Sequence, residues 1–150
     1  RGKSLIVAGG IGVAPLYYLA QHLKKKKIDF TFIYGVKSDS DFILKKEIKK
    51  MSSASIFVSE KGGGKRMTAL DVLKNIEIND YKVVYACGPK AMLIELQKSK
   101  LPLPVYAFCE DIFGCGCGLC LGCAIRYRGK YRRVCEDGPV FELKDIEFND

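Results

Sequence analysis

The chain has 150 residues, which suits one domain of ordinary size or one domain with a small appendage. Hydrophobic residues make up 48% of it, enough for a real core, yet no window is long and apolar enough to span a membrane and none reads as a signal peptide. The net charge of +8 is uneven: residues 109–150 hold six Lys/Arg and eight Asp/Glu, whereas residues 1–108 hold nineteen and nine. The basic residues are mostly clustered lysines, such as Lys45-Lys46 and Lys49-Lys50, with no arginine-rich groove motif and no aromatic platform pattern. That favours a solvated lysine face over a nucleic-acid surface, and a basic surface also attracts an anionic dinucleotide. The chain opens Arg1-Gly2-Lys3 without an initiator Met, so it is expected to be a piece of a longer protein.

Leu5-Ile6-Val7-Ala8 is an apolar run that predicts a buried strand. Gly9-Gly10-Ile11-Gly12-Val13-Ala14-Pro15 follows, and Pro15 suits the first turn of a helix because its missing N–H had no partner there. Leu16, Leu19, Ala20 and Leu23 then recur at helical spacing. A glycine turn leading into a helix N-terminus lets a phosphate approach closely, and the helix end favours its charge. Such a turn, lacking G-x-G-x-x-G, also serves as an ordinary strand–helix connection. A branched side chain at Gly12 is expected to occupy the space a phosphate needs.

Residues 29–36 predict the second strand, 39–50 a second helix and 55–59 the third strand. Gly62-Gly63-Gly64 reads as a loop, and Thr68 as the cap of a helix holding Ala69, Leu70, Val72 and Leu73. Residues 82–86 predict the fourth strand, ending in Cys87-Gly88-Pro89 before a helix with Met92, Leu93 and Leu96. Residues 103–108 predict the fifth. Strands alternating with helices specify an α/β fold, a five-stranded parallel sheet flanked by helices. Ligands of such sheets sit at the carboxyl ends of the strands, where Gly9–Pro15 and Cys87–Pro89 both fall. The lone histidine, His22, has no assigned role.

From Cys109 onward the chain changes character, becoming short-segmented and cysteine-rich, and residues 109–150 read as a separate C-terminal lobe. Cys115, Cys120, Cys123 and Cys135 are spaced C-x4-C-x2-C with a distant fourth cysteine, the plant-type spacing for a 2Fe-2S cluster. Gly116, Gly118 and Gly122 let the backbone fold tightly and point N–H groups at the sulfurs. Cys117 falls out of register and reads as a bystander. A structural zinc site is the next reading, but zinc sites usually pair two C-x2-C knuckles and only one is present. A disulfide framework fits an odd count of seven cysteines poorly, and free cysteines point to a reducing cytoplasm. Residues 124–127 and 131–134 flank Arg128-Gly129-Lys130 as a hairpin that returns Cys135 to the others. Asp137-Gly138-Pro139 reads as a turn and Val140-Phe141 as apolar packing.

The glycine turn at 9–15, followed by Cys87-Gly88-Pro89-Lys90-Ala91-Met92, resembles the nicotinamide-binding half of the ferredoxin-NADP reductase-like flavoproteins. Glu110 through Cys123, then Val134-Cys135-Glu136-Asp137-Gly138-Pro139-Val140-Phe141, is similar to the electron-transfer subunits of NAD-dependent dihydroorotate dehydrogenases of the B type. The resemblance covers essentially the whole chain. It implies an oxidoreductase subunit of pyrimidine biosynthesis, passing electrons from NADH through FAD and a 2Fe-2S cluster to the flavin of a catalytic subunit. It implies cofactor contacts at Gly10, Gly12, Ala14, Pro15, Cys87, Gly88, Pro89 and Met92, and metal ligands at Cys115, Cys120, Cys123 and Cys135. The family's flavin-binding barrel has no counterpart in these residues, so FAD is expected mostly in the full-length protein. Glu60 to Lys65 looks shorter than the family's loop, and Cys117 stands where the family has an apolar residue. Hydride carries two electrons and a cluster accepts one, so a flavin is needed as converter. The alternatives are a related reductase with a sulfide dehydrogenase, transhydrogenase or hydrogenase partner, or a non-catalytic zinc-binding module. NAD is expected over NADP, since no arginine follows the second strand in Gly35-Val36-Lys37-Ser38 to grip a 2′-phosphate.

Overall fold

The computed structural model describes residues 2–61 and 66–148. The glycine loop at 62–64, with Lys65, lies outside them. Five parallel strands form the sheet: β1 (Lys3–Gly9), β2 (Phe30–Val36), β3 (Ala54–Ser59), β4 (Tyr81–Cys87) and β5 (Val105–Phe108). The crossovers are α1 (Val13–Lys25), α2 (Lys45–Met51), α3 (Ala69–Lys74) and α4 (Lys90–Lys98). β1 lies between β2 and β4, with Val7 beside Ile33 on one side and Ala86 on the other.

Both faces of this strand are buried, which is why its sequence is a continuous apolar run. Successive residues point to opposite faces. Ile6 and Ala8 join Val13, Leu16, Ala20 and Leu23 of α1 in one core, while Leu5 and Val7 join Leu70, Leu73, Leu93 and Leu96 of α3 and α4 in the other. Each fully buried leucine, such as Leu16, contributes roughly 1.5–3 kcal/mol relative to an exposed one.

The helix expected over residues 39–50 is broken. Asp39–Asp41 forms only a 3-10 turn, closed by a capping box in which Ser38 N donates to Asp41 Oδ2 at 3.0 Å. Phe42 then turns extended, and its ring packs edge-on against Tyr34 at 5.2 Å and Phe57 at 5.7 Å. Leu44 adopts φ 56° before α2 begins. Aromatic packing in the tertiary core overrides the local helical pattern.

The sheet also gains a sixth strand, β8 (Val140–Glu142), antiparallel to β5 with Phe141 opposite Ala107. The residues read as apolar packing are thus part of the ladder. Without them β5 would present an open row of backbone donors and acceptors. The rest of the C-terminal segment forms a hairpin, β6 (Ala124–Tyr127) and β7 (Lys130–Arg133), with β9 (Ile146–Glu147) on the other side of β6. Its two-residue turn has φ > 0 at both Arg128 and Gly129, the geometry whose twist matches the strands. A short helix, α5 (Val134–Asp137), follows and carries Cys135. Gln97 of α4 donates to the carbonyls of Leu143 and Ile146 at 2.6 and 2.7 Å, pinning the returning chain to the main sheet.

Candidate functional site

The carboxyl ends of β1, β2 and β4 open onto a cavity of about 380 Å³, lined by Gly9, Gly10, Gly35, Lys37, Pro89 and Met92 among others. Gly10 has φ 55°, a conformation that side chains disfavour, and open space beside its Cα. Met92 packs on two bare glycines: a Cβ on Gly9 would meet its Sδ at 2.7 Å, and one on Gly88 its Cε at 2.6 Å. Ala14 is exposed and Pro15 half-buried in the first turn of α1. Gly12 is different. It is buried, and a Cβ there would run into the backbone of Cys87 and Gly88. The expectation that a side chain at Gly12 fills phosphate space is therefore corrected: that side chain would point into the protein, against the end of β4. Glu60, Thr68 and Glu95 also line the cavity. None of these three is in the sequence-derived set: Glu60 and Thr68 reach the cavity from other elements, with the place of Glu60 after the third strand as its signal, and Glu95 from one turn beyond Met92 on α4.

Cys87 is fully buried beneath the Cys-Gly-Pro turn, and its Sγ donates to Glu110 Oε1 at 3.4 Å. Burial, then the Glu110 charge, pushes this thiol far above its ordinary range, so it stays protonated. Burial also pushes Cys109 up, to about 11. Glu110 thereby bridges the end of β4 to the start of the cysteine segment. Sequence alone did not place it opposite Cys87, 23 residues earlier.

The cysteine loop is coiled by left-handed residues at Gly116, Gly118 and Leu121. Backbone N–H groups donate to sulfur, among them Gly118 to Cys135 at 3.2 Å, Cys120 to Cys115 at 3.4 Å and Cys135 to Cys123 at 3.5 Å. The Cys115 thiol is lowered to about 6, chiefly by the N–H groups of Cys117 and Cys120. A thiolate is the form that ligates a metal. The Cys115 and Cys120 side chains touch each other, as do those of Cys123 and Cys135. Cys117 also lies against Cys115, so register in the sequence does not set it apart in space. A Cβ on Gly114 would stand 3.2 Å from Cys120 Sγ, so this glycine keeps that sulfur uncrowded, whereas one on Gly122, at 3.5 Å, would make an ordinary contact.

Among the described residues, no three His, Cys, Asp or Glu side chains converge on one metal-ion position. The four spaced thiols form two pairs instead, with Cys117 also against Cys115. Two pairs with N–H groups aimed at their sulfurs suit a two-iron core, which shares four thiolates between its irons. The donor set therefore fits a 2Fe-2S cluster. The Cys87–Glu110 hydrogen bond ties the start of the cysteine segment to the carboxyl end of β4.

Comparison with known proteins gives these features a family. Residues 6–98 match the oxidoreductase NAD-binding domain, and residues 110–147 match the iron-sulfur cluster binding domain of dihydroorotate dehydrogenase B. The chain is 34% identical over 146 residues to the "Dihydroorotate dehydrogenase B (NAD(+)), electron transfer subunit" of Listeria innocua, covering 95% of this chain and 57% of that one. It is 35% identical to the protein of the same description from Clostridium acetobutylicum, covering 99% and 59%. The chain thus spans little more than half the length of these relatives. A solved NADH-dependent reduced ferredoxin-NADP oxidoreductase superposes with a TM-score of 0.86 at 24% identity, covering 98% of this chain and 54% of that one, which shows the same fold. The chain belongs to the oxidoreductase NAD-binding domain family, with a segment matching the dihydroorotate dehydrogenase B cluster-binding domain following that domain.

Proposed function

We propose that this chain is the NAD- and cluster-binding part of the electron-transfer subunit of a B-type dihydroorotate dehydrogenase. In the full-length protein it would accept electrons from NADH and deliver them, through FAD and a 2Fe-2S cluster, to the flavin of the catalytic subunit in pyrimidine biosynthesis. The observation that carries this reading is the juxtaposition of a glycine-lined cavity at the sheet's carboxyl edge with two thiol pairs joined to that edge through Cys87 and Glu110.

Residues 1–108 form the NAD-binding domain in this reading, and residues 109–150 the cluster lobe. Gly10 and the first turn of α1, with Ala14 and Pro15, receive the dinucleotide phosphates, since N–H groups and the helix dipole favour an anion there. Gly12 brings that turn down onto β4. Gly88, Pro89 and Met92 border the nicotinamide, over the protonated Cys87. Cys115, Cys120, Cys123 and Cys135 would hold the cluster. FAD, mostly held by the part of the protein outside this chain, supplies the conversion from two-electron to one-electron transfer.

The surface beside the thiols suits a protein acceptor. Ile112 is 86% exposed, Leu119 83% and Leu121 62%, an apolar group around the cysteine loop. No helix among the described residues is long and apolar enough to cross a membrane, and a cytoplasmic setting fits the seven free cysteines. The reading is tested by purifying the full-length protein anaerobically with its bound partner. A dihydroorotate-oxidising subunit, with NADH-dependent bleaching of a brown two-iron spectrum, is the expected result. Copurification of a different oxidoreductase would move the chain to a related reductase, and a colourless zinc protein would remove it from electron transfer.

A further inference from the structure

The four thiols sit on two separate pieces of chain, with Cys123 on the first, just before β6. Cys115, Cys120 and most of the loop lie before the hairpin, and Cys135 lies after it on α5. Two links fix one to the other: Cys123, whose carbonyl accepts from Val134 N at 3.0 Å and whose sulfur accepts from Cys135 N at 3.5 Å, and Gly118. The Gly118 N–H donates to Cys135 Sγ at 3.2 Å, and its carbonyl accepts from Arg133 Nη1 at 3.1 Å. Gly118 has φ 78°, a left-handed conformation that a side chain would strain.

Arg133 is itself held on three sides. Its Nη2 meets Glu136 Oε2 at 2.7 Å, its Nε lies 3.5 Å from Asp137 Oδ2, and its backbone N–H donates to the same Asp137 oxygen at 2.7 Å. A half-buried guanidinium gripped in this way does not swing freely, and its fork geometry lets one side chain serve the loop and the helix together.

We propose that Arg133 is a positioning residue that holds Gly118 against Cys135 and thereby sets the reduction potential of the cluster; this rests on the cluster reading above. Reduction adds one electron to the cluster. An N–H aimed at a ligand sulfur and a nearby fixed cation both favour the more negative, reduced state. Arg133 contributes to both, since it fixes the donor and carries the charge. Its loss loosens the Gly118 hydrogen bond, removes the cation and leaves Glu136 uncompensated beside Cys135, while Asp137 keeps Arg132. All three changes act in the same direction and lower the potential.

The test is a redox titration of the full-length protein, followed by electron paramagnetic resonance, with iron and sulfide counted in the same samples. Arg133→Ala should shift the midpoint to a more negative value. Arg133→Lys, which keeps the charge but loses the fork, should fall between Arg133→Ala and wild type. Arg128→Ala is the control: Arg128 pairs with Asp145 and Glu142, away from the loop, and its loss should leave the midpoint unchanged. If Arg133→Ala fails to load a cluster, Arg133→Gln replaces it, with the same negative shift expected. A purely structural role would lower iron content and leave the midpoint of the remaining clusters at the wild-type value, which overturns the proposal. An equal shift in Arg128→Ala also overturns it, by making the effect one of overall lobe charge. Absence of iron and sulfide from the wild-type protein would instead overturn the cluster reading itself.

Discussion

Gly12 packs backbone to backbone against Cys87: a Cβ on the glycine would overlap the Cys87 carbonyl. The contact joins the turn after β1 to the end of β4, two distant stretches of chain. Gly12→Val should lower the melting temperature, since forcing bulk into a packed site costs roughly 1–3 kcal/mol or more. Gly10→Ala should fold, at a cost of ~1–2 kcal/mol for its left-handed φ, and raise KM for NADH. Thermal melts beside steady-state kinetics of the full-length protein separate the two. A Gly12→Val protein as stable as wild type would contradict the packing.

The full-length protein, purified without oxygen, should carry about two irons and two sulfides per chain. Cys120→Ser should lose most of them, because it removes one of the four thiolates at the C-x4-C-x2-C spacing. Cys117→Ser should keep them. Loss of the cluster in Cys117→Ser with retention in Cys115→Ser would exchange the ligand assignments.

Lys37 lines the cavity at the end of β2, with Glu60 at the end of β3. One lysine facing a carboxylate grips a 2′-phosphate weakly, so kcat/KM should be higher for NADH than for NADPH. Lys37→Ala should change NADH use by no more than ~1 kcal/mol, the scale of an exposed charge. Preferential use of NADPH, with a large loss on Lys37→Ala, would reverse the assignment.

Phe141 is 6% exposed, pairs with Ala107 and packs at 5.2 Å on Tyr127 of the hairpin. Phe141→Ala should cost about 3–5 kcal/mol. Because the ring touches both the main sheet and the lobe, sheet circular dichroism and cluster colour should be lost together on heating. Two separated transitions in the wild-type protein would show that the lobe folds independently.

Thr68 caps α3 reciprocally with Asp71: its hydroxyl accepts from Asp71 N at 3.2 Å, and Asp71 Oδ2 accepts from Thr68 N at 2.8 Å. Thr68→Ala should cost ~1 kcal/mol. The Thr68 N–H and hydroxyl hold the Asp71 carboxyl below its ordinary value of 3.8. A depressed folded-state value means that the stabilisation is fully present above the unfolded value and fades as pH falls through the folded one. Asp71→Asn should therefore destabilise at neutral pH and lose its effect in acid, as denaturant titrations across pH would show.

The sequence by itself determined whatever depends on neighbours along the chain. Continuous apolar runs specified β1 and β2, because strands buried on both faces admit little else. Thr68 followed by Asp71 specified a cap, and C-x4-C-x2-C specified the kind of core that four thiolates could share. Tertiary structure decided what depends on residues far apart. Phe42 left its helical pattern because Tyr34 and Phe57 offered its ring a better site. Val140–Glu142 became a strand because β5 had an unfilled edge. Gly12 took its meaning from Cys87, and Arg133 from Gly118, contacts that no spacing rule encodes. Local signals reflect dihedral preference and periodicity; the sheet edge, the aromatic cluster and the loop clamp exist only once distant segments have packed.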